Sequence, residues 1–233
     1  MVNSGRTVLV GGGTGALGAA VLDAFLADGW RVAATWLVEA DLDRIERREG
    51  LELVEADLFD PGAVGRAVSV AAGDDSEPLR AVVNLVGGFA MGTNVDQTAI
   101  EDFERMLRLN LRPTYLTCQA ALPHLVAAGG GGIVCVSARA ALQPFAGAAG
   151  YITAKAAVLA FARAVAVEYR DAGVRCNAVL PSVIDTPANR ASLPDADHDR
   201  WVAPSEIAAV IRFLCSDESR ATSGAAIPVY GRA

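Results

Sequence analysis

A chain of 233 residues, 52% of them hydrophobic and 20% charged, can build one sizeable α/β core and is too apolar to remain disordered. Its formal net charge of −7 argues against a nucleic-acid phosphate backbone, which needs a basic face, so no nucleic-acid partner is expected. Cys118, Cys135, Cys176 and Cys215 lack C-x-x-C spacing and sit in apolar surroundings, and His124 and His198 are isolated. Reduced core thiols and no metal site follow from that pattern.

Residues 1–13 run straight into a strand pattern without a basic, apolar, small-residue leader, so a cytoplasmic protein is expected. The strand at 6–10 ends in the run Gly11-Gly12-Gly13-Thr14-Gly15-Ala16-Leu17-Gly18, and a helix follows at 16–28. Glycines there permit a tight turn and let backbone N–H groups approach a diphosphate at the helix N-terminus. Position between the first strand and first helix raises this loop above an ordinary turn. The second strand, 31–35, ends at Trp36 and Leu37, where an acid would bind the NAD ribose and an arginine the NADP phosphate. With neither present and Glu39 slightly beyond, NAD is favoured and NADP stays open.

Further strands are expected at 51–54, 81–86, 132–137, 174–180 and 225–229, with helices at 61–71, 100–127, 151–171 and 204–215. Apolar strands alternating with helices predict one Rossmann-type, doubly wound, mainly parallel seven-stranded sheet with helices on both faces. The whole chain, 1–233, reads as one domain. Residues 113–138 carry no Asp, Glu, Lys or Arg, but Pro123 and the glycines at 129–132 break that window, so no membrane span is expected. Residues 182–201 form the longest irregular stretch and read either as a lid over a substrate site or as a plain surface loop.

Tyr151 and Lys155 lie at i and i+4 near the start of a long apolar helix, so ammonium and phenol share a face. A nearby cation favours the phenolate and would lower the ordinary tyrosine pKa of about 10, giving a usable general acid/base. The spacing alone is a common accident. Placed after the fifth strand of a dinucleotide-type sheet, it falls where a site must lie.

These features together resemble the short-chain dehydrogenase/reductase family over essentially the whole chain. The family's glycine motif is similar to Gly12 through Gly18, with Ala16 where the family has its middle glycine. Asn84-Leu85-Val86-Gly87 resembles its Asn-x-Ala-Gly element, and Asp57-Leu58 its adenine-contacting pair. Pro181, Ile184 and Thr186 fall in a stretch similar to the one that closes over the nicotinamide, with Ser182 in place of a glycine. The resemblance implies that Asn110 organises a proton-relay water and that Lys155 holds the nicotinamide ribose.

One departure matters. The family's catalytic serine stands thirteen residues before its tyrosine, and that position is Ala138 here. Ser137, one residue earlier in a strand, would point to the opposite face unless a bulge restored it. The tracts at 138–142, 185–190 and 192–197, with Trp201, resemble the quinonoid dihydropteridine reductase branch, which also lacks the serine. That branch implies reduction of a conjugated C=N or C=O by NAD(P)H, with Tyr151 as proton donor. The rivals are an ordinary ketone or alcohol dehydrogenase using Ser137, and a non-catalytic nucleotide-binding protein. Phe89, Ala138, Asn189 and Trp201 are the expected substrate contacts, with core packing the alternative for both aromatics. The apolar helices before and after the fifth strand imply a homodimer or homotetramer.

Overall fold

The computed structural model describes residues 5–232; the residues preceding the first strand at 1–4, part of the stretch read for a leader, lie outside the described residues. Seven strands form one sheet in the order β3-β2-β1-β4-β5-β6-β7, every neighbouring pair parallel. They are β1 (Thr7–Gly11), β2 (Arg31–Trp36), β3 (Leu51–Glu55), β4 (Leu79–Asn84), β5 (Gly131–Val136), β6 (Val174–Pro181) and β7 (Ala226–Val229). The helices are α1 (Ala16–Ala27), α2 (Pro61–Ala72), α3 (Ile100–Ala127), α4 (Ala149–Glu168), α5 (Pro187–Ser192) and α6 (Pro204–Cys215).

The central strands are apolar on both faces because each face meets a helical layer. One layer packs α2, α3 and α4 over Leu9, Val82, Ile133 and Leu180; the other packs α1 and α6 over Val8, Val10, Val83 and Val134. The strand order reverses between β1 and β4, where a crevice opens at the carboxyl ends of the strands.

Three expectations need correction. α3 runs unbroken through Pro113 and Pro123, so Pro123 does not divide the uncharged window. Each proline removes one backbone hydrogen bond. A buried stripe from Met106 through Leu116 to Leu125 holds the helix against the sheet despite both losses. β4 begins and ends two residues earlier than its apolar run suggests, because pairing with β1 stops at Gly11 opposite Asn84. Finally, the irregular stretch contains a helix of its own. Thr186 caps α5 by accepting the Asn189 amide at 3.2 Å, and Pro187 occupies its first turn.

α4 is long and apolar enough to cross a membrane by length and composition, but one face is buried against the sheet and the α3 layer. Cys118, Cys135, Cys176 and Cys215 are all free and buried.

Candidate active site

The phosphate loop is built by close approach. Gly12 adopts φ +81°, and its N–H donates to Thr35 Oγ1 at 2.9 Å, tying the turn to the end of β2. A methyl at Gly18 would stand 2.3 Å from the Gly13 carbonyl oxygen, so α1 meets the loop backbone directly. Gly15 differs: it is exposed, and an added methyl there would make only an ordinary 3.7 Å contact. The fold itself therefore does not require glycine at 15, whereas an approaching ligand would. No side chain caps α1 and no acid stands in its first turn, which leaves the amides of Ala16 and Leu17 for an anion. Thr14 is buried beside them. These residues fit a dinucleotide diphosphate.

Around that loop the other expected contacts divide. Val86 packs against the Gly12 turn, its Cγ2 within 2.9 Å of where a methyl on Gly12 would sit. Trp36 is half-buried at the end of β2, followed by exposed Leu37 and Val38. The Asp57 carboxylate accepts the Phe59 amide at 2.9 Å, so it caps its own turn. Leu58 is buried under Gly11 and serves the core. Asn84 also faces inward, its amide reaching Cys118 Sγ at 3.4 Å and Cys135 Sγ at 3.8 Å. Strand alternation places Asn84 on the same face as buried Val82, so its side chain enters the α3 layer and not a cofactor groove.

Lys155 sits on the second turn of α4, 7% exposed, and is the only lysine in the chain. Its ammonium donates to the Val136 carbonyl at 3.0 Å. Burial lowers its pKa from 10.5 to about 8. Tyr151 lies one turn earlier, with Lys155 Nζ 6.0 Å from its ring centroid. The phenol shifts opposite to the expected direction: burial pushes it up to about 12. The ammonium is turned toward Val136, and its attraction does not offset the desolvation of a phenolate.

Asn110, buried in the middle of α3, turns both ends of its amide to protein partners. Nδ2 donates to the Gly88 carbonyl at 3.1 Å and the Met106 carbonyl at 3.0 Å, and Oδ1 accepts the Gly88 N–H at 3.1 Å. Gly87 lies against both groups: a methyl there would be 2.6 Å from Asn110 Oδ1 and 3.0 Å from Lys155 Nζ. The loop after β4 thus brings α3 and α4 to one point.

Ser137 follows β5, whose pairing with β4 and β6 runs in regular register. Its hydroxyl is buried and donates to the Lys155 carbonyl at 2.7 Å. That bond staples α4 to the strand end and aims the hydroxyl away from the exposed crevice. No bulge turns Ser137 outward, and Ala138 next to it presents only a methyl.

On the open side, Phe89 is 58% exposed and stands edge to face with Tyr151, ring centroids 5.0 Å apart. Phe145, 45% exposed, lies 6.4 Å from Phe89 and completes an apolar wall. Phe145 and the Gly88 and Val136 backbone groups carry no signal in sequence, because only the fold brings them here. Trp201 is not part of this wall. Its ring pairs with His198 at 4.4 Å, and it borders a hollow with Gly231 and Arg232. The antecedent is local: Val202 pairs with Val183 and Asp185, which holds the preceding residue at the C-terminal tail. Asn189 donates its amide to the Ile184 carbonyl at 2.8 Å, and Ile184 bridges to Val202, so both organise the loop after β6. Pro181 ends β6 and is buried.

Residues 13–231 match the family model described as enoyl-(acyl carrier protein) reductase. The chain is 32% identical over 244 residues to a 2-(R)-hydroxypropyl-CoM dehydrogenase of Xanthobacter autotrophicus, covering 97% of each. A short-chain type dehydrogenase/reductase from Mycobacterium ulcerans superposes with a TM-score of 0.89 at 25% identity, over 97% of this chain and 89% of that one. A blue fluorescent protein from a metagenomic library, solved in complex with NADPH, superposes with a TM-score of 0.83 at 26% identity, over 97% and 96%.

Proposed function

Because the chain belongs to the short-chain dehydrogenase/reductase family and is an NAD(P)-binding oxidoreductase, we propose that it reduces a conjugated C=N or C=O in a flat, activated acceptor of the quinonoid dihydropteridine kind. The observation that carries this reading is the Ser137 hydroxyl, committed to the Lys155 carbonyl beside an alanine at 138. A simple ketone needs its oxygen polarised by such a hydroxyl. An acceptor whose conjugation already favours hydride addition does not.

A bound nicotinamide would supply the hydride at C4. Tyr151, neutral across physiological pH, supplies the proton to the nitrogen or oxygen as the double bond is reduced. Lys155 holds the nicotinamide ribose, and Asn110 fixes the Gly88 loop that forms the rim. Phe89 and Phe145 give a flat ligand an aromatic face. Gly12 through Gly18, with Val86 and Gly87, hold the diphosphate side of the cofactor. We favour NAD, since Trp36, Leu37, Val38 and Glu39 offer no guanidinium for a 2′-phosphate, and Arg44 is paired with Asp41 at 3.1 Å.

The second reading is an ordinary alcohol or ketone dehydrogenase, favoured by the names of the relatives. Comparing NADH and NADPH oxidation with quinonoid dihydropterin against simple ketones separates the two. Reduction of ketones alone sinks the pterin reading and leaves the family intact. The exposed Tyr115, Val126 and Val167 on α3 and α4 support a homodimer or homotetramer. A monomer on dilute-solution sizing contradicts that assembly.

A further inference from the structure

The N-terminal edge of the sheet carries a second concentration of charge. A cavity of about 490 Å3 opens where β1, β4, β5 and β6 begin, lined by Arg6, Arg80, Arg170, Arg175 and Arg220. Asp217 is the one acid among its lining side chains. Five of the chain's 20 basic side chains therefore converge on one hollow in a protein of net charge −7.

Three of these guanidiniums form an anchored floor. Arg6 pairs with Asp28 at 3.2 Å and lies 4.3 Å over the Trp30 ring. Arg80 donates to the Ala128 carbonyl at 2.5 Å, closing the C-terminus of α3. Arg175 donates to the Leu214 and Ser216 carbonyls at 2.7 and 3.0 Å, closing α6. Carbonyl partners at a helix C-terminus fix a guanidinium's direction and offset only part of its unit charge. The crowding registers on Arg175, whose pKa is lowered first by burial and further by the Arg80 cation, against the pull of Cys215 and Asp217. Arg170 and Arg220 are exposed, and among the described residues neither forms an ion pair.

We propose that this cavity is a second ligand site, which binds a small polyanion carrying two or more phosphate or carboxylate groups. Arg170 and Arg220 supply planar forks at the rim for bidentate contact, and Arg80 and Arg175 supply fixed positive charge beneath them. The dinucleotide loop cannot account for this charge. β5 separates the two ends, with Gly131 lining the cavity and Val136 holding Lys155, roughly 17 Å away at about 3.3 Å per residue.

The test is isothermal titration calorimetry with inorganic pyrophosphate and, separately, citrate, on the full-length protein at constant ionic strength. At least one is expected to bind saturably, and the responding arm assigns the phosphate or carboxylate class. The Arg170→Ala/Arg220→Ala variant is expected to weaken that binding at least tenfold. Its thermal midpoint and its NADH turnover are expected to remain those of the unaltered protein. Absence of saturable binding for both anions overturns the proposal. So does binding that the double variant retains in full, since that site then lies elsewhere.

Discussion

At the C-terminal edge of the sheet stands the chain's only lysine, nearly dry, with one carbonyl for a partner. At the N-terminal edge five arginines line one open cavity. Both edges gather positive charge, yet they use it differently. An ammonium withdrawn from water titrates near neutrality, and Lys155 falls to about 8. A guanidinium keeps its proton throughout the physiological range, so crowded arginines cannot relieve their repulsion by deprotonating and instead favour an anion among them. Proton handling requires the first arrangement; recognition is served by the second.

The largest expected effect lies at the dry edge. Tyr151→Phe should cut turnover by about 10²–10⁴-fold while cofactor affinity, measured by fluorescence titration, changes little. A variant that turns over normally would remove Tyr151 from the chemistry and break the contrast between the edges.

Next comes the pH dependence of stability. Between about pH 8 and 10.5 the unfolded chain keeps a proton on Lys155 that the folded chain has released, so stability should rise with pH across that window. The full gain is about 3 kcal/mol for a shift of this size. Tyr151 acts in the opposite sense: above its ordinary 10.0 and up to about 12 the unfolded phenol ionises first, and stability should fall. Thermal melts should therefore peak near pH 10, and Lys155→Met should abolish the rise. Because the chain has a single lysine, 15N-lysine labelling yields one side-chain resonance that reports its titration directly. A midpoint near 10.5 would show that Lys155 is hydrated like the arginines.

A smaller loss tests whether the basic edge is also structural. Arg175→Ala should destabilise by about 1.5–3 kcal/mol in denaturant melts, since its guanidinium closes α6. The smallest effect is expected from Ser137→Ala, about 1 kcal/mol from the lost bond to Lys155, with turnover within about twofold. A collapse of turnover in that variant would restore the ketone-dehydrogenase reading.

Alternating apolar runs and helical stripes were enough to read the sheet, because strand burial on both faces leaves a direct trace in sequence. α3 and α6 fall on their expected bounds, even with Pro113 and Pro123 inside α3. Tyr151 and Lys155 were legible as a pair, but their electrostatics were not. Spacing shows that a cation is near, while desolvation and the direction of its hydrogen bond appear only once Val136 is in place. Asn84 and Leu58 show a related limit: a motif marks a position and does not say which way a side chain points, here into the core. Phe145 left no trace, since its proximity to Phe89 is made by a loop crossing between β5 and α4.

Gly87 carries a consequence for how such a chain can vary. Even a methyl at this position would press on Asn110 and Lys155 together. A lineage drifting by single substitutions would meet a barrier here from two directions at once. Accommodating a side chain at 87 displaces the Asn110 carboxamide or the Lys155 ammonium, and so disturbs the end of a side chain from α3 or from α4. Variation at position 87 is therefore felt by both helices at once, through a residue with no side chain of its own.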